Sequence, residues 1–114
     1  MSDCIFCRIA AHEIPSGIVA ERDDVIAFRD LNPQAPVHVL VVPKEHIRSA
    51  AHLSAAHDGV WLSMLRLAQD VADSEGISEA GYRLVSNVGK GGGQTVDHLH
   101  VHVLGGRQMT WPPG

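Results

Sequence analysis

Three scarcities narrow what this chain can be. No basic tract stands out among its 9 lysines and arginines, and the net charge is −4. Binding long nucleic acid means neutralising many phosphates, so that class is not expected, whereas a mononucleotide held by backbone amides remains open. No apolar run approaches the ~20 residues that a membrane-spanning helix needs, and the first residues lack a secretory-signal pattern. The expectation is a cytoplasmic protein with no membrane partner. Cysteine is confined to 2 residues, both inside Cys4-Ile5-Phe6-Cys7. In a reducing compartment that spacing suggests a metal half-site or a redox pair before a structural disulfide. A thioredoxin-like redox pair would follow a strand, and nothing upstream supplies one, so the redox reading is demoted.

With 114 residues, 45% of them hydrophobic and 19% charged, the chain suits one globular domain over residues 1–114 with a single core. It has no internal repeats and no linker. Phe6 to Ala11 reads as a short helical turn stopped near Pro15 and Gly17. Ile18 to Arg22 and Val25 to Asp30 form a hairpin across Asp23-Asp24. A turn-rich stretch, Asn32-Pro33-Gln34-Ala35-Pro36, leads into an apolar strand over Val37 to Val42 that ends at Pro43. Ser54 caps a helix running to about Ser74, with Trp61, Met64, Leu65, Ala68, Val71 and Ala72 as its core-facing stripe. Tyr82 to Val88 is a strand, and Gly89 to Gly93 a glycine-rich loop. Strands outnumber helices, which predicts an α+β domain: an antiparallel β-sheet, one long covering helix and a short N-terminal helix.

The densest chemistry follows that loop. In His98-Leu99-His100-Val101-His102-Val103-Leu104 imidazole alternates with an aliphatic side chain, the period of a strand. Leu99, Val101 and Val103 then face a core, and His98, His100 and His102 share the other surface. Burying three imidazoles together would strand polar nitrogens, so that surface is expected to border a cleft. Such a row suits either a metal or one nucleophilic imidazole oriented by its neighbours. The loop Gly89-Lys90-Gly91-Gly92-Gly93-Gln94-Thr95 can offer backbone N–H groups to a phosphate.

The seven residues His98 to Leu104 match the His-φ-His-φ-His-φ-φ signature (φ hydrophobic) of the histidine-triad (HIT) family. Leu104-Gly105-Gly106-Arg107-Gln108-Met109 and Trp111-Pro112-Pro113-Gly114 resemble its Hint branch of nucleoside phosphoramidases. The resemblance runs from about Cys4 to the last residue. It implies the HIT fold, with two sheets paired across a homodimer, and hydrolysis of the P–N bond of purine nucleoside 5′-phosphoramidates. It makes His100 the nucleophile, forming a nucleotidyl-histidine that water then hydrolyses. His102 would contact the phosphate or help protonate the leaving amine, His98 would orient its neighbours, and His38 would stand behind His100. Asn87, Gln94 and Thr95 align with the phosphate site, Thr95 where Ser is usual, and Gly93 and Val96 with further nucleotide contacts. Asp97 stands where relatives often carry Tyr and adds a negative charge beside the site. Asp30 aligns with a ribose contact, and Phe6, Ile9, Phe28 and Leu31 with base contacts.

Some HIT members and the related galactose-phosphate uridylyltransferases use a Cys-x-x-Cys, His, His zinc site. Here that implies Cys4, Cys7, His46 and His98, with a structural role, since other Hint members lack the cysteines. His12, His52 and His57 fit no constellation and are expected at the surface. Three alternatives stand beside the phosphoramidase: a dinucleoside polyphosphate hydrolase, which the Trp-Pro-Pro-Gly tail argues against; a zinc hydrolase whose triad binds a catalytic metal; and a non-catalytic nucleotide-binding or scaffold protein.

Overall fold

The structure, a computed structural model, describes residues 3–114. A helix, α1 (Ile5–Ala10), precedes the hairpin β1 (Ile18–Glu21) and β2 (Val25–Arg29); then come β3 (Val37–Pro43), α2 (Asp58–Ser74), β4 (Tyr82–Val85) and β5 (Val101–Gly105). The five strands form one sheet in the order β1-β2-β3-β5-β4, with every neighbouring pair antiparallel. This is the α+β architecture expected, with α2 as the long covering helix.

The central strands explain why their sequences are solidly apolar rather than alternating. Val25, Ala27, Val39, Val41, Val101 and Val103 turn to one face, where α2 covers them through Met64, Leu67, Ala68, Val71 and Ala72. Ile26, Phe28, Leu40 and Val42 turn to the other, under Phe6, Ile9 and Ala10 of α1. A strand covered on both faces has no solvent side to mark with polar residues. Each of the larger buried side chains contributes roughly 1.5–3 kcal/mol of transfer free energy. α2 covers its face along the central strands, whereas the short α1 covers only part of the opposite face. What α1 leaves uncovered becomes the site.

Four local expectations shift. Ser54 caps a 3₁₀ turn, Ala55–His57, and α2 begins only at Asp58. Its buried stripe runs Met64, Leu67, Ala68, Val71, Ala72, so Leu67 joins it while Trp61 and Leu65 sit half-buried on its flank. β4 stops at Val85 rather than Val88, because Ser86 turns its hydroxyl to donate to the His100 carbonyl (2.9 Å). β5 starts only at Val101: Leu99 N–H donates to the Ile47 carbonyl (2.6 Å), holding the chain outside the ladder, and His98 and His100 precede the strand.

Candidate active site

Between α1 and the partly covered sheet face lies a cleft of about 290 Å³. Its wall is mainly apolar: Phe6 and Ile9 from α1, Phe28 and Leu40 from the sheet, Val96, and Leu31 at an exposed rim. Phe6 meets Phe28 edge-on (5.3 Å between centroids) and His100 edge-on (5.2 Å). Asp30, Thr95, His100 and His102 are polar residues of its lining, with Ser16 and Arg29. Nine of the residues the sequence nominates therefore converge here: Phe6, Ile9, Phe28, Asp30, Leu31, Thr95, Val96, His100 and His102. Ile5, Ile14, Pro15, Leu40 and the polar Ser16 and Arg29 also line the cleft, and nothing in the sequence marked them as site residues.

The three triad imidazoles do not share one surface. His98 and His100 are buried, at 0% and 5% exposure, and each ring engages something different. His100 Nδ1 donates to the His98 carbonyl (2.7 Å). A neutral imidazole carries one N–H, so this bond leaves the lone pair on Nε2. The orienting group from His98 is thus its backbone carbonyl, and Ser86 holds the carbonyl of His100 itself.

His102 is oriented from behind by a chain that starts at a backbone amide. Gln34 N–H donates to His38 Nδ1 (3.0 Å), so neutral His38 carries its hydrogen on Nε2 and donates it to His102 Nδ1 (2.9 Å). His102 in turn keeps its hydrogen on Nε2. The strand register makes this possible: His38 pairs with Leu104 and Leu40 with His102, so the two histidines are diagonal neighbours on one sheet face. His38 therefore stands behind His102, not behind His100 as expected. Burial first, then the neighbouring His100 and His38, pushes the His102 pKa from 6.5 down to about 4, against the opposing pull of Asp30. Burial also lowers His38, again opposed by Asp30. Both rings are neutral at pH 7, and the cleft meets two imidazoles of opposite character, a lone pair on His100 and an N–H on His102. Gln34 had no signal in the sequence, since only its backbone acts.

The glycine-rich loop is bonded to itself. The N–H groups of Gly92, Gly93 and Gln94 donate to the carbonyls of Gly89, Lys90 and Gly89. The Gln94 side chain accepts from Gly89 N–H and donates to the Arg48 and Val96 carbonyls (2.9, 2.7 and 2.9 Å). A Cβ at Gly92 would collide with the Val88 carbonyl, and Gly93 has φ +84°, so the tight turn requires both glycines. Gly93 and Gln94 thus brace the loop, and Thr95 and Val96 are its contribution to the cleft. Asn87, half-buried after β4, lies outside the lining. Asp97 opens onto a separate groove with Arg48, His52 and Lys90, and pairs with Arg48 at 3.8 Å rather than charging the cleft.

Beneath His98 a second constellation forms. Cys4 Sγ and Cys7 Sγ lie 3.3 and 3.5 Å from His98 Nδ1; Cys7 Sγ lies 3.3 Å and His98 Nδ1 3.2 Å from His46 Nδ1. All four donor atoms lie within 4.8 Å of one another. Two thiolates and two imidazoles around zinc, at Zn–S ~2.3 Å and Zn–N ~2.0 Å, set tetrahedral edges of roughly 3.3–3.8 Å, which these spacings approach. His98 Nε2 donates to the Pro43 carbonyl (2.8 Å), which fixes its proton away from the cluster and turns the Nδ1 lone pair inward, as a metal ligand requires. The residues fit the group. Asp30, His38 and His102 also lie within 4.8 Å, but the Gln34 N–H occupies one nitrogen of His38 and a proton the other, so that group is a hydrogen-bond relay. Neither of the two candidate metal groups among the described residues combines His98, His100 and His102, which removes the basis for a triad-bound catalytic metal. His12 and His52 are exposed as expected, with His12 beside Glu21 (3.0 Å); His57 is half-buried and accepts from Ser54 N–H.

An antiparallel sheet under one long helix, with His100 and His102 of an alternating histidine triad at the cleft and His98 buried behind it, has the features of a HIT domain. That family matches residues 11–109, and the chain belongs to it. Over 107 residues the chain is 46% identical to the purine nucleoside phosphoramidase of Escherichia coli K12, covering 94% of this chain and 90% of that protein. It is 49% identical over 115 residues to the 14 kDa zinc-binding protein of Zea mays, covering 99% and 89%. The crystal structure of a HIT family hydrolase from Legionella pneumophila Philadelphia 1 superposes with a TM-score of 0.96 at 51% identity, covering 98% of this chain and all of that one. Among the described residues no helix is long and apolar enough to cross a membrane.

Proposed function

We propose that the protein hydrolyses the P–N bond of purine nucleoside 5′-phosphoramidates, releasing the nucleoside monophosphate. The observation that carries this reading is the His100 ring, its Nδ1–H fastened to the His98 carbonyl and its Nε2 lone pair at the end of an apolar cleft. The base lies between Phe6, Ile9, Phe28 and Leu31, and Asp30 accepts from the ribose hydroxyls. His100 Nε2 attacks phosphorus; the P–N bond breaks and the amine leaves with a proton drawn from solvent. Water then attacks the nucleotidyl-histidine, restoring the ring and giving the monophosphate. Full proton transfer from neutral His102 would leave an imidazolate, so His102 serves as a hydrogen-bond donor to the phosphoryl oxygens as charge builds. Cys4, Cys7, His46 and His98 would hold zinc, which supplies a cross-link between α1, the end of β3 and the triad segment. The same resemblance supports a homodimer, with the exposed Trp111 tail available to a partner.

The similarity to the Escherichia coli phosphoramidase supports this substrate class. The test is AMP release from adenosine 5′-phosphoramidate, with diadenosine polyphosphate as rival substrate, by wild type and His100→Ala. Turnover of the phosphoramidate that vanishes in the variant is expected. Full activity in the variant removes His100 as nucleophile, and preference for the dinucleotide moves the protein to another branch.

A further inference from the structure

The run Gly105-Gly106-Arg107 leaves the triad strand and lines no part of the cleft. It turns instead onto the back of the relay that orients His102. Gly105 pairs with Val37 at the end of β5. Gly106, at φ +87°, then lies so close to the segment joining β2 to β3 that a Cβ there would come within 2.9 Å of Pro36 Cβ. Arg107 Nε–H donates to the Gln34 carbonyl (3.1 Å). Gln34 is the residue whose N–H donates to His38 Nδ1, and its side-chain amide donates to the Asn32 carbonyl (3.1 Å). Its N–H, carbonyl and side chain are all engaged, and Arg107 is the partner that arrives from the far end of the chain.

The Gln34 amide matters because a pair of imidazoles can pass its hydrogen bond in either direction. As built, His38 Nε2–H donates to His102 Nδ1 (2.9 Å), and His102 keeps its own hydrogen on Nε2. Moving one hydrogen on each ring from Nε2 to Nδ1 reverses the pair: His102 Nδ1–H then donates to His38 Nε2, and the bond between the rings survives. The reversal fails only at the other end, where His38 Nδ1–H would face the Gln34 N–H across 3.0 Å. That backbone hydrogen therefore selects the direction, and with it whether His102 meets a phosphoryl oxygen with an N–H or with a lone pair.

We propose that Arg107 is a positioning residue for His102: by holding the Gln34 carbonyl, it keeps the Gln34 N–H on His38 and the relay in its working direction. Without Arg107 the backbone of Gln34 turns more freely, the clash that forbids the reversed pair weakens, and a fraction of molecules present a lone pair to the phosphate. The relay and its clamp rest on geometry alone, whereas the effect on turnover rests on the phosphoramidase reading above.

The decisive measurement is ¹⁵N NMR of histidine-labelled wild type, Arg107→Met and Arg83→Met without ligand, which reads the tautomers of His38 and His102 directly. Arg83 holds the same tail by donating to the Thr110 carbonyl (2.8 Å), and so serves as the control. In Arg107→Met both rings are expected to move together from Nε2–H towards Nδ1–H, the ratio changing several-fold for one lost hydrogen bond, with Arg83→Met like wild type. Unchanged tautomers in Arg107→Met overturn the proposal. Equal movement in Arg83→Met also overturns it, since the cause would then be a loosened tail. On adenosine 5′-phosphoramidate, Arg107→Met is expected to lose about fivefold in kcat, part of the ~10²-fold that loss of a whole transition-state donor costs. A loss confined to KM counts against the clamp. If wild type turns over no phosphoramidate while the tautomers still move in Arg107→Met, the phosphoramidase reading falls and the clamp stands.

Discussion

Replacing His102 by Gln removes a titrating ring from a site that tolerates a proton poorly. In the folded protein its pKa is about 4 against an ordinary 6.5. Between those values the unfolded chain binds a proton that the folded one refuses, so stability is intact above pH 6.5 and falls as the pH drops towards 4. A gap of about 2.5 pH units at ~1.4 kcal/mol each caps the loss at about 3–4 kcal/mol. Urea unfolding at pH 7.0 and pH 4.5 captures most of it, roughly 2–3 kcal/mol, or about 1–2 M in midpoint at the slopes usual for a domain of this size. Wild type is expected to lose that much more than His102→Gln over the interval. Burial of His38 acts with the same sign but is present in both proteins, as is the cluster of Cys4, Cys7, His46 and His98, so the difference between the two falls isolates His102. Glu21 and Glu75, lowered below 4.5 by hydrogen bonds from Lys44 and Arg29, lose their contribution at more acid pH. Equal falls in the two proteins would refute the reading that burial keeps His102 uncharged in the folded protein.

Ser86→Ala frees the His100 carbonyl, and is expected to lower kcat several-fold with KM unchanged and to cost about 1 kcal/mol in urea. Chelation by EDTA should lower the thermal midpoint of wild type and leave that of Cys7→Ser unmoved; equal shifts in both would place the metal elsewhere. Met64, fully buried beneath the sheet, serves as the control: Met64→Ala should cost about 2–5 kcal/mol of stability and leave kcat at 25 °C unchanged.

Much of this was legible because single residue types carried it. Alternation named Leu99, Val101 and Val103 as core, and Cys-x-x-Cys with His46 and His98 marked four donors that the fold brings together. Alternation failed where the backbone left the sheet. Period two fixes sides only while the ladder continues, and Leu99 hands its N–H to Ile47 before the ladder begins, so His98 and His100 follow different rules from His102. The α2 stripe was legible at Met64, Ala68, Val71 and Ala72, with Trp61 packed at its flank; only Leu67 was missed, which the three-residue step from Met64 reaches. Contributions made by backbone groups were silent: the Gln34 amide and the carbonyls of His98, Pro43 and Ile47 orient the site whatever side chain accompanies them. Gln94 shows the converse, a polar residue in the expected place whose amide is spent holding its own loop.

His98 spends every polar group beyond its own N–H on a different neighbour: Nδ1 on the thiols and His46, Nε2–H on the end of β3, the carbonyl on His100. No other side chain offers a lone pair and a donor on opposite sides of one rigid ring. A lineage that abandoned its cysteines would be released from one of these obligations while the donor to Pro43 still demanded an imidazole, and the carbonyl would still need that ring to hold it still. Sequence drift at Cys4 and Cys7 is therefore compatible with an unchanged triad, whereas drift at His98 dismantles three junctions at once.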